Sequence, residues 1–398
     1  MSTKVYYGEY SLQHWIDLIL AGNITLPEYQ RSFVWTKKQA EDFINALKEQ
    51  SFIPPVTLGN FEEKNNYIID GQQRLTSILL AYIGKFPKKD KFPKFVDLYA
   101  DANDSELEDE NEPVEWQFKL ILSKDTENTR DSIRYNIEQK QSKAYENIDF
   151  QIESILKETY LGFSFIVPDA TPIEQQKFYC SVFRNMNMKG TSLLPQESRR
   201  SLYFLDNDKK DFFDSKVFDT YKIINNNRAR KIDFIRYASL ASQYKKESDY
   251  TKLMKYYAPH GNNNKDEEYY AIYISEAIDE SKSNLMFKKF SEVFPNNNYS
   301  SRLTKLEKIL EKLNFEKKYT SIIETDITFF GLVYNVLICN KSIDESKIKE
   351  LKNEISAKIN DYKQPGIDND KQLKNPNQVG FLRKRLEASN IIYSKFIK

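Results

Sequence analysis

The polar run 70–74, Asp-Gly-Gln-Gln-Arg, lies between the apolar run 67–69 and a helical apolar pattern over 75–83. A strand-to-helix turn leaves backbone N–H groups unpaired at the positive end of the helix dipole, which suits a phosphate group. Asp70 adds a candidate metal ligand, and Arg74 adds a cation that can bind an anion. The run therefore indicates an anion-binding turn, here called the Asp70 loop.

The same residues also fit a turn with no chemical role. Gly71 can supply a positive φ angle, Asp70 can cap the helix, and Arg74 can pair with Asp70 at the surface. Position alone does not separate the two interpretations. Other motifs must decide between them.

Two further segments carry polar side chains at defined spacing. The first, residues 27–35, has the pattern Pro-x-Tyr-Gln-Arg-x-x-x-Trp, and the other, residues 184–193, has the pattern Arg-x-x-Asn-x-x-Gly-x-x-Leu. Together with the Asp70 loop, they resemble the DUF262 family, the ParB/sulfiredoxin-like N-terminal module of GmrSD-type restriction proteins. The resemblance covers residues 10–205, approximately, and is only compositional beyond them.

The resemblance implies that the Asp70 loop binds and hydrolyses a nucleoside triphosphate with Mg²⁺ or Mn²⁺. Asp70 would be the metal ligand or the base, and Gln72 or Gln73 would orient the attacking water. Arg74 would balance the phosphate charge. These four residues are the expected catalytic set.

The resemblance also implies a nucleotide-binding set around the loop. Backbone at a glycine can approach phosphate closely, hydroxyls in the first helical turn can donate to it, and an exposed tyrosine and guanidinium can stack on a base and bind phosphate. As structure alone, the aromatic residues of segment 27–35 can equally be core. The expected binding residues are Tyr29, Gln30, Arg31, Gly71, Thr76, Ser77, Arg184 and Asn187.

Several other chemistries are excluded by missing residue patterns. No Gly-x-x-x-x-Gly-Lys-Ser/Thr motif occurs, which excludes a P-loop. The two cysteines form no CxxC pair, and the Asp70 loop has no cysteine of the kind that sulfiredoxins use. His14 and His260 are the only histidines, too few and too poorly partnered for an HNH nuclease site.

Composition indicates a globular chain with more than one domain. The 398 residues are 40% hydrophobic, which is enough for real cores. The 59 Lys plus Arg nearly balance the 58 Asp plus Glu, so the net charge argues neither for nor against binding to nucleic acid. The first residues do not show a basic segment followed by an apolar run, and no apolar run is long enough for a membrane span. We expect a cytoplasmic protein, with its oligomeric state left open.

Hydrophobic periodicity predicts an α+β fold. Residues 1–170 alternate helices and strands, as a ParB/sulfiredoxin-like mixed α/β domain would, and residues 171–398 carry mostly helical patterns. Helices are predicted over 11–21 and 37–50, and a hairpin that joins 56–61 to 67–69 leads into the Asp70 loop. Further strands are predicted over 95–99, 116–122 and 161–167, and further helices include ones over 172–186 and 211–224. The second domain is expected to contact DNA or a partner.

Short basic clusters are the candidate DNA contacts in the second domain. Arg228, Arg230 and Lys231 lie close together, followed by Arg236, and a second cluster covers 383–385. Such clusters are more often solvated surface. The resemblance implies partners in a restriction or anti-phage system: DNA, modified or not, and a separate nuclease subunit. The alternative function is a nucleotide-independent DNA-binding or protein-interaction regulator without catalysis.

Overall fold

The computed structural model folds into two compact units, and each is described by itself. Unit 1 comprises the described residues up to Leu205, and unit 2 begins at Asp206. The predicted domain boundary at residue 170 stays a prediction. The structure describes residues 2–27, 30, 32–61, 65–92, 116–123, 126–171, 174–175, 178–179, 181–182, 195–225, 228–257, 265–281 and 283–398.

Unit 1 is built on a mixed five-stranded sheet with the strand order β1-β7-β3-β4-β2. Strands β1 and β7 pair antiparallel, as do β3 and β4, whereas β3 with β7 and β2 with β4 are parallel. Strands β5 and β6 form a separate antiparallel pair. The strands are β1 Ser2–Ser11, β2 Ile24–Thr25, β3 Val56–Phe61, β4 Asn65–Asp70, β5 Lys85–Pro87, β6 Tyr145–Asn147 and β7 Tyr160–Asp169.

The helices of unit 1 begin at capping residues that the sequence supplies. The Ser11 hydroxyl accepts a hydrogen bond from the His14 N–H at the start of α1, and Thr36 forms a reciprocal capping box with Gln39 at the start of α2. The predicted helices after Ser11 and Thr36 and the predicted hairpin before the Asp70 loop are confirmed. The helices are α1 Leu12–Leu20, α2 Lys37–Lys48, α3 Gln72–Ile83, α4 Arg130–Gln141 and α5 Pro195–Tyr203.

Helix α3 is buried on nearly all sides, whereas its sequence predicted one apolar face. Leu75, Ile78 and Leu79 join Trp15 and Ile44 in the core of unit 1, and even the polar side chains at the start of α3 are mostly buried. A helix that is packed on nearly all sides is held in place by contacts with many neighbouring side chains. The core therefore holds the start of α3 at a defined place.

Strand β4 contains an irregularity directly before the Asp70 loop. Thr57 of β3 lies opposite Asp70, and Leu58 lies opposite Ile68, so Ile69 has no partner residue on β3. This is a β-bulge, a feature that redirects the side chains beside it. The bulge sets the direction in which the chain leaves the sheet towards α3.

Unit 2 is mostly helical and contains a small three-stranded sheet. In this sheet β10 is parallel to β8, and β8 is antiparallel to β9. The strands are β8 Lys222–Asn225, β9 Arg228–Lys231 and β10 Lys318–Tyr319. The helices are α6 Lys210–Phe213, α7 Phe234–Glu247, α8 Lys265–Ile278, α9 Phe290–Val293, α10 Tyr299–Leu313, α11 Ile322–Leu332, α12 Ile348–Lys363, α13 Ile367–Lys374 and α14 Val379–Ser394, and α11 continues into a π-helical turn over Val333–Ile338.

Helices α11 and α14 approach each other closely in the core of unit 2. The Gly331 N–H donates to the Ser389 hydroxyl at 2.8 Å, and the Tyr393 hydroxyl donates to the Thr328 carbonyl at 2.6 Å. A Cβ on Gly331 would lie 2.5 Å from the Tyr393 ring. Glycine is therefore required for this approach.

The predicted α+β class is confirmed, but several predicted elements differ from the structure. Residues 116–122 hold a 3₁₀ turn at Phe118–Leu120 instead of a strand, because Phe118 and Ile121 are buried at a spacing of three. Residues 211–224 are mostly not helical and end in β8. Strand β1 was missed because its side chains from Thr3 to Glu9 are all exposed, which removes the alternation that identifies a strand.

Some predicted elements cannot be compared with the structure. The strand predicted over 95–99 lies outside the described residues, as does most of the helix predicted over 172–186. Within the described part of the chain, no helix has the length and apolar character needed to cross a membrane.

Candidate functional site

Helix α3 begins at Gly71 with a left-handed backbone. Gly71 has φ +97° and ψ 10°, and its carbonyl accepts the first helical hydrogen bond, from the Leu75 N–H at 2.9 Å. A Cβ at this position would lie 2.9 Å from Val56 Cγ2, so both the angle and the space require glycine. Gly71 is the N-cap residue and brings no capping side chain to this helix start. The N–H groups of the first turn lie at the positive end of the helix dipole.

Asp70 and Arg74 form an ion pair at the edge of this helix start. Arg74 Nη2 lies 2.7 Å from Asp70 Oδ2, and Arg74 Nη1 donates to the Pro54 carbonyl. The Arg74 side chain is 12% exposed and the Asp70 side chain is 39% exposed. Burial lowers the pKa of Arg74, and the neighbouring Asp70 carboxylate partly offsets this effect. The pair therefore joins a largely buried guanidinium to a carboxylate that solvent partly reaches.

Gln73 binds the backbone of the segment that carries the first motif. Its Oε1 accepts from the N–H groups of Val34 at 2.9 Å and Trp35 at 3.3 Å, and its Nε2 donates to the Ser32 carbonyl at 3.1 Å. The side chain is 7% exposed. Three backbone groups of segment 27–35 are thus satisfied by one amide of α3.

The Gln30 side chain, which belongs to segment 27–35, binds backbone groups directly before the Asp70 loop. Its Nε2 donates to the Ile69 carbonyl at 3.0 Å and also to the Ile68 carbonyl, at the end of β4. Gln30 Oε1 is buried and has no hydrogen-bond partner among the described residues. The sequence-predicted residues Gln30 and Gln73 therefore bring the first motif and the Asp70 loop together.

Three residues that the sequence reasoning missed also hold segment 27–35. The Gln117 side chain donates to the Gln30 carbonyl at 3.1 Å, the Trp116 carbonyl accepts from the Phe33 N–H at 2.8 Å, and Lys89 Nζ donates to the Val34 carbonyl at 2.8 Å. Burial lowers the pKa of Lys89. No local pattern identifies these residues, because each lies more than 50 positions from the backbone group that it binds.

Other predicted site residues are more deeply placed or not described. Thr76 and Ser77 are fully buried, and the Ser77 hydroxyl donates to the Gln73 carbonyl at 2.9 Å. Gln72 is buried as well. Their roles at a nucleotide stay predictions, and burial makes a direct contact of Thr76 or Ser77 with phosphate depend on a conformational change. Four predicted binding residues lie outside the described residues: Tyr29, Arg31, Arg184 and Asn187.

Asp70 is the residue of the loop that could hold a divalent cation. The described residues contain no group of three or more His, Cys, Asp or Glu side chains that could enclose a metal ion. Mg²⁺ bound with a nucleotide is usually held by one or two carboxylates together with phosphate oxygens and water. The partly exposed Asp70 carboxylate could supply one ligand of such a donor set.

The two predicted DNA contacts of unit 2 whose side chains the structure describes are largely buried. Arg230 is 9% exposed, and Lys231 Nζ lies 3.6 Å from Asp219 Oδ2. The Arg228 side chain lies outside the described residues. DNA contact at these three positions stays a prediction.

Two other basic residues named as DNA candidates are in the core of unit 2. Arg236 and Arg385 both pair with the fully buried Asp326, at 3.2 Å and 2.8 Å. Arg385 has no exposed surface, so the expectation that it contacts phosphate is wrong for this conformation. Tyr237 adds a hydroxyl that donates to Asp326 Oδ1 at 3.0 Å. These arginines are structural.

Comparison with known proteins locates a family domain in the first half of the chain. Residues 12–204 match the model of the GmrSD restriction endonuclease, N-terminal domain. An uncharacterized protein of Methanocaldococcus jannaschii is 30% identical over 181 residues, which cover 37% of this chain and 30% of that relative. The chain thus spans under a third of the relative's length, and no solved structure matches significantly. Residues 12–204, which contain the Asp70 loop, therefore belong to the GmrSD restriction endonuclease N-terminal domain family.

Proposed function

We propose that unit 1 binds a nucleoside triphosphate at the start of α3 and hydrolyses it. The proposed role is that of the nucleotide-processing part of a restriction or anti-phage defence system. The observation that carries this proposal is the left-handed glycine start of α3 at Gly71, with an ion pair beside it whose carboxylate is partly exposed. A phosphate group is the natural ligand for such a helix start.

The proposed chemical roles are compatible with the geometry of the loop. The N–H groups at the start of α3 would bind phosphate oxygens, and Gly71 permits the left-handed turn from which this helix begins. Arg74 would add a charge-assisted hydrogen bond after releasing Asp70 or the Pro54 carbonyl. Asp70, once released, would act as the base or hold the cation.

Mg²⁺ or Mn²⁺ would be held by Asp70 together with the nucleotide's own phosphates, and when bound it neutralises phosphate charge. Asp70 and Arg74 would then separate, because the cation and the phosphate take the place of each partner. This exchange is available to Asp70 because solvent already reaches its carboxylate.

DNA and a separate nuclease subunit are the proposed partners, and the membership of the first half in a restriction family supports them. In unit 2, Lys231 keeps a partly exposed side chain, whereas Arg230 is buried. The proposal therefore assigns the nucleotide to unit 1 and leaves the DNA-contacting residues to be found by experiment.

Phosphate release tests the enzymatic proposal. Release would be measured with each NTP and Mg²⁺ for wild type, Asp70→Ala and Arg74→Ala, with Asp90→Ala as a control that breaks the exposed ion pair to Lys91. We expect about 100-fold slower release from the two loop variants, as when one group that stabilises a charged transition state is removed. Equal release from all four proteins would reject hydrolysis at this loop.

Nucleotide-induced thermal stabilisation separates the main proposal from the regulator without catalysis. A ligand that binds the folded state raises its melting temperature in proportion to the logarithm of its excess concentration. Stabilisation of wild type by an NTP, lost in Arg74→Ala, supports the site. An unchanged melting temperature with every NTP would favour the nucleotide-independent regulator.

A further inference from the structure

Two glutamines connect the first motif and the Asp70 loop in opposite directions. Gln30 belongs to segment 27–35 and donates to backbone carbonyls of residues 68 and 69, and Gln73 belongs to the Asp70 loop and binds backbone groups of residues 32, 34 and 35. Each segment thus supplies the side chain that satisfies the backbone of the other. A change in the position of one segment must break bonds made by both.

The β-bulge explains why one amide can bind two successive carbonyls. Successive carbonyls of a regular strand point to opposite edges, so a single side chain normally meets only one of them. Ile69 is the unpaired residue of β4, and β2 pairs with β4 only at Asn66 and Tyr67. Beyond the end of β2, the Gln30 amide therefore takes the place of a neighbouring strand.

Segment 32–35 depends on side chains because it has no regular structure. Its residues belong to no helix or strand, yet Ser32 and Phe33 are buried. Buried backbone groups that lack a partner cost free energy comparable to a lost hydrogen bond. The Gln73 amide supplies three of the needed bonds, which places this side chain among the main supports of the segment.

Little hydrogen-bonding capacity of Gln73 remains for a ligand. Its Oε1 already accepts two N–H groups, and one of its two amide hydrogens is donated to the Ser32 carbonyl. The side chain is also 7% exposed. A glutamine that orients an attacking water would need a free, accessible amide.

We infer that Gln30 and Gln73 are positioning residues that couple segment 27–35 to the Asp70 loop, and that Gln73 does not orient the attacking water. The inference deepens the proposed function and rests on it for the effect on nucleotide. Each glutamine fixes the backbone of the opposite segment, so the nucleotide-binding residues of both segments are held in one arrangement before a ligand arrives. This positioning role replaces the catalytic role that the resemblance implied for Gln73.

Hydrogen exchange of the ligand-free protein tests the coupling without any nucleotide. Gln73→Met should accelerate exchange of the peptide containing residues 32–35, and Gln30→Met should accelerate that of residues 68–72, each about tenfold, the factor that corresponds to one net hydrogen bond. Gln73→Glu keeps an acceptor for Val34 and Trp35 and should give a smaller change. Gln13→Met is the control, because Gln13 donates to Asp17 within its own helix.

The location of the change distinguishes coupling from general loosening. The inference requires that each variant accelerates exchange in the opposite segment while peptides of β1 and β7 exchange as in wild type. Acceleration throughout unit 1, or no acceleration in the opposite segment, would overturn it.

The kinetic effect separates positioning from catalysis. If Gln73 positions the binding segment, Gln73→Met should weaken nucleotide affinity about tenfold, because the binding-competent arrangement is less populated, while kcat at saturation changes less than about threefold. A large loss of kcat with unchanged affinity would overturn the inference and restore the water-orienting role. If wild type binds no nucleotide, the proposed function fails, and the exchange experiment alone decides the coupling.

Discussion

Two aspartates that form ion pairs with arginine lie in contrasting surroundings in this chain. In unit 1, Asp70 pairs with Arg74 across one helical turn, and 39% of the Asp70 side chain is exposed. In unit 2, Asp326 is fully buried and pairs with both Arg236 and Arg385. All three ion pairs join a carboxylate to a guanidinium group, at distances of 2.7 to 3.2 Å.

The aspartates differ in whether an external ligand can replace their arginine partner. A partly exposed pair has modest strength, so phosphate or a cation can replace one partner at small cost. A buried pair cannot be opened without leaving an uncompensated charge in the core. Accessibility, rather than residue type, therefore separates the candidate site from a structural cluster, and the following changes test that separation.

The largest expected effect is that of Asp326→Asn. The change leaves Arg236 and Arg385 without a buried counter-charge and should lower the free energy of unfolding by about 3 to 5 kcal/mol. Urea denaturation followed by circular dichroism measures it. The control is Asp361→Asn, which removes an exposed pair with Lys358. A loss below about 1 kcal/mol would show that the buried cluster is no stronger than a surface pair.

The next effect is that of Gly331→Ala in the same unit. The new Cβ would lie 2.6 Å from the Ser389 carbonyl oxygen and force α11 and α14 apart, so we expect a loss of about 1 to 3 kcal/mol. Gly380→Ala is the matched control, because a Cβ there has no atom within 4 Å. That change should be neutral or stabilising, since alanine favours a helix. Equal melting temperatures of the two variants would contradict the close approach.

Gly71→Ala tests the backbone conformation beside the partly exposed Asp70–Arg74 pair. Alanine in a left-handed conformation, with its Cβ 2.9 Å from Val56 Cγ2, should cost about 1 to 3 kcal/mol. Gly22→Ala has the same kind of angle, with φ +71°, but no atom within 4 Å of its Cβ. The excess loss in Gly71→Ala over Gly22→Ala reports the contacts of the new Cβ with Val56 and Arg74, and thermal denaturation would show it. No excess would mean that the loop relaxes freely.

The smallest expected effect on stability is that of Asp70→Asn. Removal of a half-exposed partner should cost less than about 1 kcal/mol, because solvent and the Pro54 carbonyl still bind Arg74. Urea denaturation beside Asp326→Asn makes the comparison direct. A loss as large as that of Asp326→Asn would place the Asp70 pair among structural clusters and weaken its assignment as a site.

Much of unit 1 could be predicted from the sequence because its signals are local. Ser11 and Thr36 are capping residues at the first positions of their helices, and the hairpin and the start of α3 follow from apolar runs separated by polar turns. The family resemblance is confirmed over residues 12–204. These features depend on neighbours within a few positions.

The interior of the site could not be predicted, because it depends on distant partners. A glutamine in a motif does not show whether its amide binds water or the backbone 39 positions away, as Gln73 does with Val34. Likewise, Arg385 lies in a run of basic residues, which indicates a surface position. It is buried instead, and it pairs with Asp326, which is 59 positions away in the sequence. Burial of a charge is decided by the partner, which the sequence does not reveal.

Equilibrium binding of slowly hydrolysed NTP analogues with Mg²⁺ tests the nucleotide site most directly. Titration calorimetry would compare wild type, Arg74→Ala and the control Asp361→Asn with analogues of all four nucleotides. We expect at least one analogue to bind wild type and Asp361→Asn equally, and Arg74→Ala about tenfold or more weakly, because a charge-assisted bond to phosphate is lost. Absence of binding to wild type, or equal binding to Arg74→Ala, would contradict a nucleotide site at the Asp70 loop.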